Sequence, residues 1–465
     1  MLTKNQKDEV RIESCTPDGY GVCRLDGRAV FVPAAIEGER WEILILKVTN
    51  TAVWAKGLKL LESSPVRCAA DCPNPCGGCT LRHMTYEEEL RVKQSHVDGC
   101  LRRIGKQERG TSAVHPSPET ERYRNKAIFA VDLVDGKAAF GFYRPRTHTL
   151  VQAEDCLLQS MVCLRAARAV TDFMNLHGIR PYEERTGKGT VRHLFWRESG
   201  RGDRVLCIVS ARGFGSLTEA LTEALRSACP ELTGLVLNIN KTRGNTVLSG
   251  DFYTLWGDPC VTERLCGAEF RIAPQAFLQV NPPQAEALYR KALDYAVMPL
   301  PDGRETACSL ALDLYCGAGT ISLYLAKRFE RVIGAEIVPE AIENAEENAA
   351  YNRVENVRFV CADAAAIALR LREEGTKPDT VVVDPPRKGL EETVIREIAG
   401  MAPERVVYIS CNPSTLARDL LRFSENGYRM LEAEAFDMFP RTSHIETAAL
   451  LCRKDDETPD LNELK

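Results

Sequence analysis

Cys411, Asp384 and Glu446 are the residues of this sequence whose types and settings could do covalent chemistry. The stretch RVVYISCNPSTLARDL reads as a strand that delivers Cys411 at its end, just before a helix. A thiol near a helix N-terminus is expected to have a lowered pKa and more thiolate. DTVVVDPPRKG delivers Asp384 at another strand end with a rigid Pro385-Pro386 turn, and SHIETAALL carries Glu446 on a last strand. In open α/β sheets ligands bind outside the carboxyl ends of the strands, where Asp384 and Cys411 are expected to sit. A thiolate with a separate carboxylate base can add to an unsaturated carbon, activate it and later withdraw a proton. The competing readings are an inert buried thiol and a solvated strand carboxylate.

A ligand site is expected on the same edge. LDLYCGAGTISLYLAK reads as a buried strand ending at Tyr315, a glycine turn and a helix, with Gly317 and Gly319 letting backbone approach a ligand. The next strand ends in GAEI, and a carboxylate there, Glu336, commonly accepts hydrogen bonds from both hydroxyls of a ribose. The spaced GxGxxG of dinucleotide enzymes is missing and no Walker lysine follows, so loop and acid favour S-adenosylmethionine over NAD or ATP. Asp363, after VRFVC, can reach an adenine amino group or simply cap the next helix. A sulfonium methyl donor gives the thiol a purpose. Carbon 5 of uracil is a poor nucleophile, and thiolate addition at carbon 6 creates an enolate that can displace the methyl group.

These residues need a scaffold. Residues 260–454 alternate short apolar strands with helices, which predicts a mostly parallel, doubly wound, Rossmann-like sheet with an antiparallel edge. Residues 1–62 are β-branched and apolar runs broken by Asp18-Gly19, Asp26-Gly27 and Glu37-Gly38, which predicts a small antiparallel barrel of about five strands. Residues 66–255 mix strands and helices as an α+β domain that includes a helix in TYEEELRVKQSHVDGCLRRIG. The polar tail 455–465 is expected to be disordered. The fold class is therefore multidomain α/β.

Hydrophobic residues at 44% and charged residues at 27% are ordinary globular usage. No apolar run approaches the roughly 18 residues that a membrane span needs. MLTKNQKDEVRIES lacks the apolar stretch of a signal peptide, so a cytoplasmic location is expected. In a reducing compartment the 18 cysteines are not expected to form a disulfide framework. Cys68, Cys72, Cys76 and Cys79 in RCAADCPNPCGGC instead point to a metal or cluster site, with zinc on all four as one reading. A net charge of −5 argues against a polybasic nucleic-acid binder, so any RNA contact must use a local basic face. Candidates for it are Arg102, Arg103, Arg122, Arg124, Lys126, Arg144 and Arg146, interleaved with Tyr123, Phe142 and Tyr143 as stacking surfaces.

The motifs FLQVNPPQAE, LDLYCGAGT, GAEIVPEAIENA, VVVDPPRKG, YISCNPSTLARDL and HIETAALL closely resemble the RNA 5-methyluridine methyltransferases, which modify uridines in bacterial 23S ribosomal RNA and in transfer RNA. The likeness covers nearly the whole chain. It implies a TRAM-type RNA-binding barrel at the N-terminus, and RYRNKAIFAV resembles a motif of the family's central domain. It implies that Gln279, Tyr315, Glu336 and Asp384 bind the cofactor, that Cys411 is the nucleophile and that Glu446 is the base. In the ribosomal branch it further implies a [4Fe–4S] cluster on Cys76, Cys79, a distant Cys156 and a first ligand that Cys72 matches better than Cys68. A monomer acting on ribosomal RNA is the reading this supports, with transfer RNA as the alternative. Two rivals remain. An adenine amino-group methylase commonly has an aromatic residue where this chain has Arg387 and needs no thiol. A non-catalytic RNA-binding module with a vestigial pocket would not need Cys411 and Glu446.

Overall fold

The computed structural model describes residues 2–72, 74–242, 244, 246–300, 303–305 and 307–454; the tail 455–465, read above as disordered, lies outside the described residues. At the N-terminus one bent strand does two jobs. Lys7–Arg11 pairs with Arg40–Val48, and after the bend Ser14–Cys15 pairs with Tyr20–Leu25. The sheet thus curls around Val10, Ile12, Val30, Val32, Ile43, Ile45 and Val53. The all-antiparallel expectation is corrected, because Arg28–Pro33 and Ala52–Glu62 run parallel. Five strands closed in a ring cannot alternate direction all the way round, so one neighbouring pair must be parallel. Glu39, fully buried, fastens this unit to the next segment by accepting from Arg67 at 2.5 and 2.7 Å.

The middle of the chain forms a seven-stranded sheet in the order Leu150–Gln152, Lys137–Tyr143, Lys126–Val134, Val191–Glu198, Arg204–Ser210, Gly234–Ile239, Asp251–Gly257. Period-two alternation splits its side chains. Leu194, Trp196, Leu206 and Ile208 pack with residues of helices Met161–Leu176 and Thr218–Ala228, while Phe195, Val205, Cys207 and Val209 join the core of the C-terminal unit.

The C-terminal sheet has eight strands in the order Val357–Cys361, Arg331–Glu336, Leu310–Leu314, Thr380–Val383, Arg405–Ser410, Glu446–Arg453, Tyr428–Phe436, Ala113–His115. The first five are parallel, and Glu446–Arg453 runs antiparallel to both of its neighbours. Helix Pro282–Val297 packs on one face of this sheet, and helices Ala364–Glu373, Glu392–Met401 and Pro413–Glu425 pack on the other. Among the described residues no helix is long and apolar enough to cross a membrane.

One grouping differs from the sequence reading. Helix Tyr86–Arg103 belongs structurally with the C-terminal sheet: its Val97 and Leu101 share a core with Leu312, Val381 and Tyr408, and Ala113–His115 pairs in parallel with Tyr428–Phe436. An amphipathic pattern shows that a helix has a buried face but not which sheet covers it. The helix also carries a fully buried cation. Lys93 donates to Glu89 at 2.8 Å, to Asp437 at 2.6 Å and to the Phe439 carbonyl at 3.2 Å. Tyr86 donates to Asp437 at 2.8 Å, and Glu89 accepts from the backbone N–H of Arg441 at 2.6 Å. The segment leading from 437 into the strand of Glu446 is therefore pinned from one helix. Removing one member of a buried ion pair leaves its partners uncompensated, which typically costs about 3–5 kcal/mol. Lys93→Met should lower unfolding stability by that order in a denaturant titration, and an unchanged midpoint would refute the anchoring role.

Candidate active site

Strand register assembles the site. Ser410 pairs with Thr447, so the next position on each strand, Cys411 and Glu446, stand opposite one another at the carboxyl edge of the parallel strands. A parallel last strand would have put Glu446 at the far edge; the antiparallel direction brings it to the thiol. Val383 pairs with Tyr408 on one side and Leu314 on the other, which brings Asp384 and Tyr315 to the same edge. Strand order reverses between Leu310–Leu314 and Thr380–Val383, and ligand crevices of doubly wound sheets open at such a point.

Three acidic groups share this edge. Burial pushes Asp384 up to about 7. Burial first, then the neighbouring Glu446 and Asp384, push Cys411 up to about 11, while Arg387 pulls the other way. Glu446 is 3% exposed and is held well above the usual carboxylate range by burial and by Asp384, again opposed by Arg387. The expectation of a depressed thiol pKa is corrected. Cys411 does precede helix Pro413–Glu425, capped by Asn412, but desolvation and two carboxylates outweigh the helix dipole. Arg387 was not singled out as a site residue in the sequence; its backbone carbonyl is tied to Asn412 at 3.2 Å and Thr415 at 3.3 Å, which fixes its loop against the cap.

The cofactor candidates line up along the preceding strand ends. Tyr315 sits in the left-handed region at φ 68° and donates its N–H to the Ala335 carbonyl at 2.9 Å. Gly317 (φ 54°) needs glycine for its backbone alone, since nothing lies within 4 Å of an added Cβ, whereas Gly319 (φ 80°) would place one 2.9 Å from Phe359. Glu336 accepts at Oε1 from the N–H groups of Ile337 and Val338, at 2.8 and 3.1 Å, which orients its carboxylate at the strand end. Asp363 caps helix Ala364–Glu373, accepting from Ala365 and Ala366 with one oxygen. Gln279 is buried, and its carbonyl accepts from Asn125 at 3.0 Å, so RYRNK and FLQVN lock together. Sequence reasoning missed three neighbours. Asp313 is fully buried, accepts from Ser322 at 2.5 Å and is pushed up to about 7 by burial. Tyr289 is buried beside Gln279 and feels the charges of Asp384 and Glu446. Phe277 is 61% exposed with Lys126 Nζ 5.5 Å from its ring. An exposed phenylalanine inside an apolar run carries no sequence signal.

The basic candidates divide. Arg102, Arg103, Arg144 and Arg146 are exposed. Tyr123 is corrected: it is buried and donates to the Pro440 carbonyl at 3.1 Å. Phe142 is half-buried, its ring 5.3 Å from that of Phe129. Tyr143 remains 38% exposed.

Cys72, Cys76, Cys79 and the distant Cys156 line one cavity of about 190 Å³, and Cys68 is not part of its wall. Arg82 also lines it, with its guanidinium beside the Cys79 thiol and its Nη1 donating to Asp71 at 2.8 Å and Glu121 at 3.1 Å, and the buried Nε2 of His83 has no hydrogen-bond partner. Among the described residues no three His, Cys, Asp or Glu side chains are gathered as a site for a single metal ion.

Comparison with known proteins places this geometry. Residues 266–454 match the family model described as tRNA (Uracil-5-)-methyltransferase. Proteins named as RNA methyltransferases from Halalkalibacterium halodurans and Bacillus cereus are each 39% identical, over 97% of this chain and 98% of theirs. The crystal structure of Pyrococcus abyssi tRNA (uracil-54, C5)-methyltransferase in complex with S-adenosyl-L-homocysteine superposes with a TM-score of 0.76 at 28% identity, covering 96% of this chain and all of that one. The chain belongs to the tRNA (uracil-5-)-methyltransferase family. It is an RNA (uracil-5-)-methyltransferase, and the matched stretch holds Gln279, Tyr315, Glu336, Asp384, Cys411 and Glu446 but not the cysteine cavity or the barrel.

The raised Asp384 carries a stability consequence for this methyltransferase. Its folded pKa of about 7 lies above the ordinary 3.8, so between those values the folded state holds a proton that the unfolded state has released. Stability contributed by this group is full below about pH 4 and is lost as pH rises toward 7. Asp384→Asn should therefore raise the melting temperature by roughly 2–4 °C at pH 8, with the gain closing at pH 4. Equal melting temperatures at both pH values would contradict the assignment.

Proposed function

We propose that this enzyme uses S-adenosylmethionine to methylate carbon 5 of a uridine in 23S ribosomal RNA, through a covalent bond between Cys411 and carbon 6 of the base. The observation that carries this reading is the register that sets Cys411 against Glu446 at the carboxyl edge, next to Asp384. Gln279, Tyr315, Gly317, Gly319, Glu336, Asp363 and Asp384 would form the cofactor and substrate pocket. Glu336 accepts from the ribose hydroxyls with a carboxylate already oriented by backbone N–H groups. The free oxygen of Asp363 is available to the adenine amino group while its other oxygen keeps the helix cap. Phe277, exposed two residues before Gln279, supplies a face for the flipped uracil.

S-adenosylmethionine supplies an electrophilic methyl group on a positively charged sulfonium. Arg387 draws the pKa values of Cys411 and Glu446 down, a bound sulfonium would act in the same direction, and the half-exposed thiol of Cys411 gives up its proton to solvent. Cys411 then adds as thiolate to carbon 6, forming a carbon–sulfur bond and an enolate. Carbon 5 takes the methyl group as the carbon–sulfonium bond breaks and the neutral thioether leaves. Glu446 removes the carbon-5 proton, and elimination breaks the bond from Cys411 to carbon 6, returning the thiolate.

Cys72, Cys76, Cys79 and Cys156 would hold a [4Fe–4S] cluster. Their shared cavity, with the Arg82 guanidinium beside Cys79, suits an anionic cubane, which is wider than a single ion. The methylation needs no redox step, so a structural role fits. The N-terminal barrel would bind RNA, and the enzyme would act as a monomer. A transfer RNA target is the second reading, favoured by the tRNA enzyme of Pyrococcus abyssi. Mass spectrometry of ribosomal and transfer RNA from a deletion strain separates the two by which pool loses 5-methyluridine.

Cys411→Ala should abolish methyl transfer while keeping S-adenosylmethionine affinity within about twofold in calorimetry, because the thiol faces the base. Glu446→Gln should transfer the methyl group once and then stall as a methyl-labelled protein–RNA adduct on denaturing gels. Wild-type turnover by Cys411→Ala would falsify the mechanism. Glu336→Ala should weaken S-adenosylmethionine binding by roughly 1.5–3 kcal/mol, and unchanged affinity would remove that residue from the pocket. For the cluster, anaerobic Cys79→Ala should lose the iron and sulfide found in the parent protein; stoichiometric zinc without iron in the parent would overturn it.

A further inference from the structure

A second cleft, of about 530 Å³, opens where the central sheet meets the hairpin Val261–Leu265 and Ala268–Ile272 and the start of helix Pro282–Val297. Its size lies within the ~300–1,000 Å³ range of small-ligand sites. Four arginines line it: Arg122, Arg124, Arg204 and Arg264. The Nε atoms of Arg124 and Arg204 have no hydrogen-bond partner; the Arg124 guanidinium lies 5.9 Å from the rings of both Tyr123 and Phe439, and Arg204 donates from Nη1 to the Gly202 carbonyl at 3.2 Å. Arg204 Nε stands 3.7 Å from Glu198, beyond hydrogen-bond reach, and Glu198 accepts from Ser160 at 2.9 Å. Arg264 is exposed, and among the described residues no carboxylate pairs with Arg124 or Arg264. Of the remaining acids in the wall, Glu286 already pairs with Arg290 at 3.3 Å, and Glu119 is exposed at the rim.

A guanidinium with a free Nε and Nη edge is the donor pair that matches two oxygens of a phosphate. The wall also contains Asn125 and Asn281, which tie the cleft to the catalytic motif: Asn125 holds the carbonyl of Gln279, and Asn281 lies two residues beyond it. We infer that the cleft is a subsite for the RNA backbone beside the target uridine, in which Arg124, Arg204 and Arg264 grip a phosphodiester. All three lie before residue 266, outside the stretch that matches the family model, so the subsite places selection of RNA in the part of the chain that the common methyltransferase segment does not supply.

This inference rests on the RNA-methylating reading, and the test keeps the two apart. The probe is a fluorescein-labelled in vitro transcript that the wild-type enzyme methylates, with binding followed by anisotropy over a salt series. Arg264→Ala, on an exposed strand position, and Arg204→Gln should each weaken RNA binding about tenfold. Each should also lower the slope of log affinity against log salt by ~0.7–0.9, with S-adenosylmethionine binding unchanged in both. Arg204→Lys should recover less than half of the loss, because one ammonium cannot match the paired geometry. RNA affinity and salt slope like wild type in Arg264→Ala and Arg204→Gln would overturn the subsite and leave the methylation reading intact. Loss of stabilisation by inorganic phosphate without loss of RNA affinity would mark a small-anion site and also overturn it. A wild-type enzyme that neither binds nor methylates RNA would sink both.

Discussion

Everything in the C-terminal unit turns on keeping three acids close together: the buried Glu446 beside the half-buried Asp384 and Cys411. Each is pushed toward its protonated form, and burial is the leading cause for all three. Folding such a crevice is unfavourable at neutral pH, and the surrounding structure must oppose it. The antiparallel ladder between Arg405–Ser410 and Glu446–Arg453 does so through the sheet interior, with both strands buried from Val406 to Ser410 and from Glu446 to Cys452. The buried Lys93 does so from outside, by holding the 437–441 segment that leads into Glu446.

The three parts of the chain meet around this crevice instead of following one another like beads. The core of the central sheet is continuous with that of the C-terminal sheet through Phe195, Val205 and Val236 on one side and Val382, Val407 and Leu450 on the other. Asn125 reaches from the central sheet to Gln279, and Tyr123 reaches to Pro440. The segment after the cysteines makes the same connection, since the N–H of Leu81 donates to the Arg441 carbonyl. Whatever fills the cysteine cavity therefore sits one short segment from the loop that precedes Glu446.

Much of this was legible in the sequence. The period-two runs and glycine turns announced the barrel, and strand–helix alternation announced the doubly wound sheet. Cys411 stands out as a candidate by its SCNP context after a DPP strand, whereas Glu446 stands out only through the likeness of HIETAALL to the family. Their adjacency was not legible, because it depends on the direction and register of the last strand. The raised thiol pKa was likewise hidden: a helix N-terminus can be read locally, but the two carboxylates beside it come from other strands. Tyr123 looks like a stacking surface among arginines, yet it is buried with its hydroxyl on the Pro440 carbonyl. Helix Tyr86–Arg103 shows its apolar stripe in sequence, but its partners arrive more than two hundred residues later.

The central claim is that Cys411 bonds to carbon 6 of uracil while Glu446 waits for the carbon-5 proton. A uridine-containing transcript carrying 5-fluorouridine tests it most directly, because fluorine cannot leave as a cation and the adduct cannot eliminate. Incubation of the wild-type enzyme with this RNA and S-adenosylmethionine should give a denaturation-resistant complex. Nuclease and protease digestion followed by tandem mass spectrometry should find a methylated fluorouracil nucleotide on the peptide that contains Cys411. Its absence under conditions where unmodified transcript is methylated, or its appearance on any other cysteine, would contradict the account.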